Sequence, residues 1–212
     1  MSAIFTDQMS DSHSVLLPPG YKSTLSTAKG ATLLYAEIPD AASIDPGFSV
    51  DSPLFMVVNW RREPVYASEH DARKRISLVT PLICRTAAIK IDMVIYPPGN
   101  MAPNYDHEGA DTFVYVVSGR GTACANEQPF SVRQGDLLCF PDRERHYLKA
   151  EDAGELRFLE LYVPGEFKTV WADKTKTSVW RSTGLDINDR ETELDERERD
   201  AFGHILGNPF IR

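Results

Sequence analysis

Two short stretches of this 212-residue chain carry side chains whose types and spacing can do chemistry. The first runs from Gly99 through Tyr105-Asp106-His107 to Asp111 and Thr112. The second runs from Gly135 through Pro141, Arg143 and Arg145 to His146. Tyr105 and His107 are two residues apart, so on a strand they share one face, while Asp106 and Glu108 point the other way. Imidazole, phenol and carboxylate groups move protons and ligate metals. The plainer alternative is that His107 and His146 are two hydrogen-bonded core histidines. Arg143 and Arg145 lie in the loop just before His146, and Arg120 sits in the Ser118-Gly119-Arg120-Gly121 turn. A forked guanidinium can grip a substrate carboxylate with two parallel hydrogen bonds. Pairing on the rim with Asp142 or Glu144 is the competing reading of the loop arginines.

The elements that must position these groups read as strands. Ile89, Ile91, Met93 and Ile95 alternate with Ala88, Lys90, Asp92 and Val94, the period of a half-buried strand, and Pro97-Pro98-Gly99 ends it. Thr112, Val114 and Val116 then face one way, and Phe113, Tyr115 and Val117 the other. Turns follow at Ser118–Gly121, Asn126–Pro129 and Gly135-Asp136. Cys139 alternates with Leu138 and Phe140 and is expected in the core. Arg157–Val163 is a last clear strand before Pro164-Gly165. Short strands separated by turns at this spacing point to an antiparallel barrel or sandwich.

The flanks differ. Residues 1–30 are polar and read as an arm with little structure of its own. Ala31–Ile38 reads as a short strand, and Leu54–Trp60 as a buried one. Beyond Gly165, Glu191–Phe202 reads as a charged helix, capped at Asn188 or Asp189 and stopped by Gly203, before an apolar tail, Ile205–Ile211.

Composition excludes some functions. With 23 basic and 31 acidic residues, the net charge of -8 argues against a nucleic-acid surface. Three dispersed cysteines, Cys84, Cys124 and Cys139, form neither a disulfide framework nor a zinc knuckle, which suits reduced thiols in the cytoplasm. The first residues lack a basic region followed by an apolar run, so no secretory signal is expected. No apolar run approaches the ~18 residues of a membrane span.

The glycine, proline and histidine spacings across both stretches resemble the double motif of the cupin superfamily. Gly99, His107 and Gly119 match the first motif, with Tyr105 where its first histidine stands and Thr112 at its glutamate. Gly135, Pro141 and His146 match the second, with Arg143 replacing its glycine and Ala150 its asparagine. Within the superfamily the nearest likeness is to gentisate 1,2-dioxygenase-like proteins, carried by Arg75–Leu78, Thr112–Gly121 and Gly135–His146.

The resemblance implies an all-β fold: a cupin double-stranded β-helix, a jelly-roll-like barrel, with an N-terminal arm and a C-terminal helical tail. Residues 1–30 would be the arm, 31–84 strands and loops packed on the barrel, 85–165 the barrel and 166–212 the extension. It also implies a divalent metal ion (iron, manganese, nickel, copper or zinc), held by His107 and His146 with Tyr105 or Asp111 as further ligand. Asp111 would need a bulge to turn inward. Tyr105 would ligate or act as acid/base, and Arg143, Arg145 and Arg120 would orient a small, anionic organic substrate. Dioxygenase-like chemistry is the first expectation. A metal-free module that binds or senses a small molecule is the other. A homodimer is expected, because cupins commonly pair and both arms carry apolar residues.

Overall fold

The computed structural model describes residues 9–48, 53, 55–176 and 179–192. The expected apolar tail and nearly all of the expected charged helix lie outside the described residues. Among these, a short strand, β1 (His13–Leu16), precedes a single helical turn, α1 (Ala41–Ile44). Next come β2 (Met56–Asn59), β3 (Tyr66–Ser68), β4 (Lys74–Val79) and a second turn, α2 (Pro81–Cys84). The long strands follow: β5 (Lys90–Tyr96), β6 (Tyr105–Glu108), β7 (Asp111–Ser118), β8 (Arg120–Ala125) and β9 (Gln128–Arg133). The last are β10 (Leu137–Phe140), β11 (His146–Ala150), β12 (Leu156–Val163), β13 (Lys168–Trp171) and β14 (Trp180–Ser182).

Two antiparallel sheets face each other. One has seven strands in the order β10-β7-β12-β5-β4-β3-β14, and the other five in the order β13-β6-β11-β8-β9. Alternation along each strand decides what lies between them. Thr112, Val114 and Val116 of β7 are buried, and Phe113, Tyr115 and Val117 are half-buried on the other side. Val114, Val116, Leu156 and Phe158 from the larger sheet meet Ala123, Val132 and Leu148 from the smaller one in the inner core. The stretch expected to form the barrel, 85–165, supplies β5 to β12. β3, β4 and β14 extend the larger sheet, and β13 extends the smaller one.

β5 departs from the half-buried expectation. Val94 and Tyr96 enter the inner core, while Met93 and Ile95 enter a second core with Trp60, Val65, Ile76, Leu78 and Cys84. The pair β1–β2 lies over that second core through Leu16, Met56 and Val58. The outward face of β5 is therefore covered, and each such aliphatic side chain removed from water is worth about 1.5–3 kcal/mol. Two expectations fail for want of a partner. Residues 31–38 form no strand, and Leu33, Leu34 and Tyr35 are exposed. Cys139 points out of the barrel and is exposed, because Phe140 takes the inward position.

Two glycines set turns that matter for the interior. Gly119 has φ +88°, and a Cβ there would lie 2.0 Å from the Glu155 carbonyl oxygen, so only glycine lets β7 turn into β8 against β12. Gly165 passes so close to β5 that a Cβ would meet the Ile89 carbonyl carbon at 2.7 Å. That approach brings Phe167 over Lys90. No helix among the described residues is long and apolar enough to cross a membrane.

Candidate metal centre

β6 presents Tyr105 and His107 to the interior, as their spacing requires. β13 pairs along the whole of β6, and on its other side the register brings Tyr105 opposite His146 of β11. The His107 and His146 rings lie 5.5 Å apart, with the Tyr105 ring 5.1 Å from the first and 4.6 Å from the second. A third group arrives from the opposite sheet. In β12, Leu156, Phe158, Glu160 and Tyr162 share the inward face, so the Glu160 carboxylate projects into the barrel. Its Oε1 is 3.8 Å from His107 Nε2 and accepts the Tyr105 hydroxyl at 3.3 Å.

His107, His146 and Glu160 each offer one ligand atom, and these atoms lie within 4.8 Å of one another. Metal–ligand bonds of about 2.0–2.2 Å would draw these atoms closer together, so the three residues could hold one ion after an inward shift. All three residues are buried, and Nε2 of each histidine has no hydrogen-bond partner among the described residues. A buried ring nitrogen without a partner is costly unless something else occupies it. The opposite nitrogens are engaged. His146 Nδ1 donates to the Glu144 carbonyl at 2.8 Å, and His107 Nδ1 meets the Thr169 hydroxyl at 3.2 Å. Such outer contacts fix the ring and leave the Nε2 lone pair for a metal.

The electrostatics agree with that state. Burial, reinforced by His107 and opposed by the Glu144 carbonyl, lowers His146 to about 4, so at neutral pH it is an uncharged imidazole. Burial alone would raise the Glu160 carboxyl. His107, Tyr162 and His146 outweigh it and bring Glu160 down to about 2. Burial and then the Glu160 charge push the Tyr105 and Tyr162 phenols well above their ordinary value, which makes both neutral donors.

A cupin domain profile matches residues 92–162. Several solved structures are similar over part of the chain. Oxalate decarboxylase from Lactobacillus farciminis, as its formate complex, is 20% identical over 59% of this chain and 38% of its own, with a TM-score of 0.50. A predicted oxalate decarboxylase from Thermotoga maritima is 22% identical over 51% of this chain and 99% of its own, with a TM-score of 0.46. A salicylate 1,2-dioxygenase variant from Pseudoaminobacter salicylatoxidans, in complex with gentisate, is 14% identical over 48% of this chain and 30% of its own, at 0.43. No curated protein sequence matches. Residues 92–162 match a cupin domain, and the fold is that of a cupin barrel.

The cupin barrel brings together His107, His146 and Tyr105 of the residues singled out in the sequence. It leaves Asp111 outside. No bulge turns β7 there, and the Asp111 carboxylate accepts the Asp142 N–H at 2.8 Å. The arginines also stand elsewhere. Arg145 pairs with Asp106 at 2.7 Å, and Arg143 with Glu108 at 2.8 Å, both carboxylates on the side of β6 opposite His107. Arg145 lines an outer cleft with Asn104, Asn126, Glu127 and Ala172. Arg120 is exposed at the far end of β8 from Ala125, the residue opposite His146.

Sequence reasoning passed over Glu160. Thr112 occupies the place of the motif glutamate and has its Oγ1 buried without a partner among the described residues. Thr112 pairs with Tyr162, and Glu160 lies one inward position further along the same neighbouring strand. The carboxylate has thus moved from β7 to β12. Its signal was in the parity of Phe158-Leu159-Glu160-Leu161-Tyr162, where an acid takes an inward position between two aromatics.

Proposed function

We propose that this cupin-fold protein is a divalent-metal-dependent enzyme acting on a small organic molecule, with His107, His146 and Glu160 as the protein ligands. The observation that carries the reading is the pair of buried, partnerless Nε2 atoms facing one buried carboxylate. Two imidazoles and one carboxylate are the donor set of open-sided non-haem iron(II) oxygenase sites. That chemistry favours dioxygenase-like activity as the first reaction class to assay. When bound, the ion supplies a Lewis-acidic or redox centre with positions left for small molecules. Tyr105 is proposed as a neutral donor that orients Glu160 and holds a proton at its hydroxyl beside the centre. Two wider proposals accompany this one. Free thiols at Cys84, Cys124 and Cys139, the last exposed, support a reducing, cytoplasmic location. Exposed apolar side chains between residues 9 and 35 support a homodimer.

Metal analysis of protein purified without chelator tests the centre. Wild-type protein should carry close to one divalent ion per chain. His107→Ala, His146→Ala and Glu160→Ala should each lose it on gel filtration. Tyr105→Phe should retain an ion with affinity about tenfold weaker, the scale of an outer-contact loss. A wild-type protein that takes up none of iron, manganese, nickel, copper or zinc would leave the metal-free binding module as the reading.

A further inference from the structure

One end of the barrel interior holds a second group of charges beside the proposed ligands. Lys90 and Asp92 of β5, with Arg75 and Ser77 of β4, share the inward face. Lys90 Nζ lies 2.8 Å and Arg75 Nη1 3.7 Å from Asp92 Oδ2, and the Ser77 hydroxyl donates to Asp92 Oδ1 at 2.9 Å. Asp92 is fully buried, while the Lys90 side chain keeps 18% and the Arg75 side chain 10% of its exposure. The residual exposure of the cluster therefore lies on its cations and not on its carboxylate. Lys90 Nζ stands over the Tyr162 and Phe167 rings at 5.0 and 5.4 Å, and both rings also abut His107.

Strand register joins this group to the metal ligands. Asp92 lies directly opposite Glu160 across the β5–β12 pair. Two carboxylates at facing positions of adjacent strands repel. Lys90 and Arg75 offset that repulsion, and the four charges together cancel. A divalent cation held by His107, His146 and Glu160 would add two positive charges to that balance. The loaded interior then carries an excess of two positive charges at low dielectric, where an uncompensated charge is expensive. A carboxylate bound beside Lys90 offsets part of it.

We propose that Lys90 and Arg75, held by Asp92, form a carboxylate-binding subsite next to the metal ligands, so that the substrate is a small organic acid. The inference rests on the metal reading above and adds the substrate class. It places acid recognition on β4 and β5 inside the barrel, where the outward-facing Arg143, Arg145 and Arg120 have no part. The aromatic pair Tyr162–Phe167, stacked at 4.2 Å, would lie along the organic part of the ligand.

Calorimetric titration of full-length protein with two isosteric pairs tests it: acetate against acetamide, and benzoate against benzamide. Metal content is measured first in every sample. Metal-loaded wild type should bind at least one of the acids at least tenfold tighter than its amide. Lys90→Met should erase that preference with metal content unchanged. Where Lys90→Met alone melts early, the double variant Lys90→Met/Asp92→Asn removes the ion pair together and should give the same loss. Equal affinity for acid and amide, or a preference that survives both variants, overturns the subsite. If wild type takes up no metal, the metal reading fails on that measurement alone. Acid preference in that metal-free protein, lost in Lys90→Met, would still support the subsite, and no preference would overturn it.

Discussion

Arg143 occupies the place of a motif glycine and keeps the glycine's backbone, with φ +64° in the left-handed region. Its N–H donates to the His107 carbonyl at 3.0 Å, so this turn helps to seat the strand that carries His107. A non-glycine residue in that conformation costs about 1–2 kcal/mol. The Arg143 side chain is two-thirds exposed, and its ion pairs to Glu108 and Asp142 return little. Arg143→Gly should therefore be more stable than Arg143→Ala by about 1 kcal/mol, since both lose the ion pairs and only glycine sheds the strain. Urea denaturation of the two variants measures it, and an alanine variant as stable as the glycine one refutes it. The same scale shows how far the site was legible. Tyr105 and His107 could be placed on one strand face, because two-residue spacing is local, whereas His146 came to them only through the motif resemblance and stands on the same sheet as β6. Glu160 could not be joined to them by local rules, because β12 reaches them only through the pairing of distant strands. The arginines misled because a guanidinium near a histidine in sequence is on the opposite face one residue later, as Arg145 and His146 are.

At the level of elements, period-two alternation gave β5 and β7, an apolar run gave β12, and turn residues marked the hairpins between them, while β8, β9 and β11 did not read as strands. Alternation did not give the second layer. The outward residues of β5 are as apolar as the inward ones, and what covers them comes from β1, β2 and α2, far away in sequence. Nor did it give the closure of the barrel's open edge, where β14 ends one sheet and β13 the other. Arg73, just before β4, clasps that edge. Its guanidinium lies 5.6–5.8 Å from the Trp180 ring of β14, the Trp171 ring of β13 and the Tyr96 ring of β5. Asp71 takes its Nε at 2.8 Å and its Nη2 at 2.8 Å. The Arg73 and Asp71 side chains are 8% and 15% exposed, so losing one partner strands a largely buried charge. Arg73→Met should cost about 3 kcal/mol of stability. Arg73→Lys should recover only part of it, because an ammonium neither forks onto Asp71 nor stacks on three rings. Chemical denaturation compares the three proteins, and a methionine variant within 1 kcal/mol of wild type would show that the edge closes without the clasp.

For the whole molecule, the distribution of exposed apolar surface is uneven. Met9, Leu17, Tyr21, Leu25, Leu33, Leu34 and Tyr35 account for most of the large exposed hydrophobics among the described residues, and all lie before the first helical turn. Tyr35 is 76% exposed and Leu33 66%. These residues form no strand, so no ladder of backbone hydrogen bonds offsets their exposure. None of them joins either core. Apolar side chains concentrated in one segment mark an association surface more often than scattered ones do. A second copy of the chain is the simplest partner, since each copy offers the same segment and a two-fold pairing buries both at once. Full-length protein at micromolar concentration should therefore run as a dimer in light scattering. Leu33→Ser/Leu34→Ser/Tyr35→Ser should weaken the dimer at least tenfold and leave metal content unchanged, because the arm lies outside the β6, β11 and β12 strands that hold the centre. A wild-type protein that is monomeric across that concentration range would refute the pairing, and a triple variant that remains fully dimeric would move the interface away from the arm.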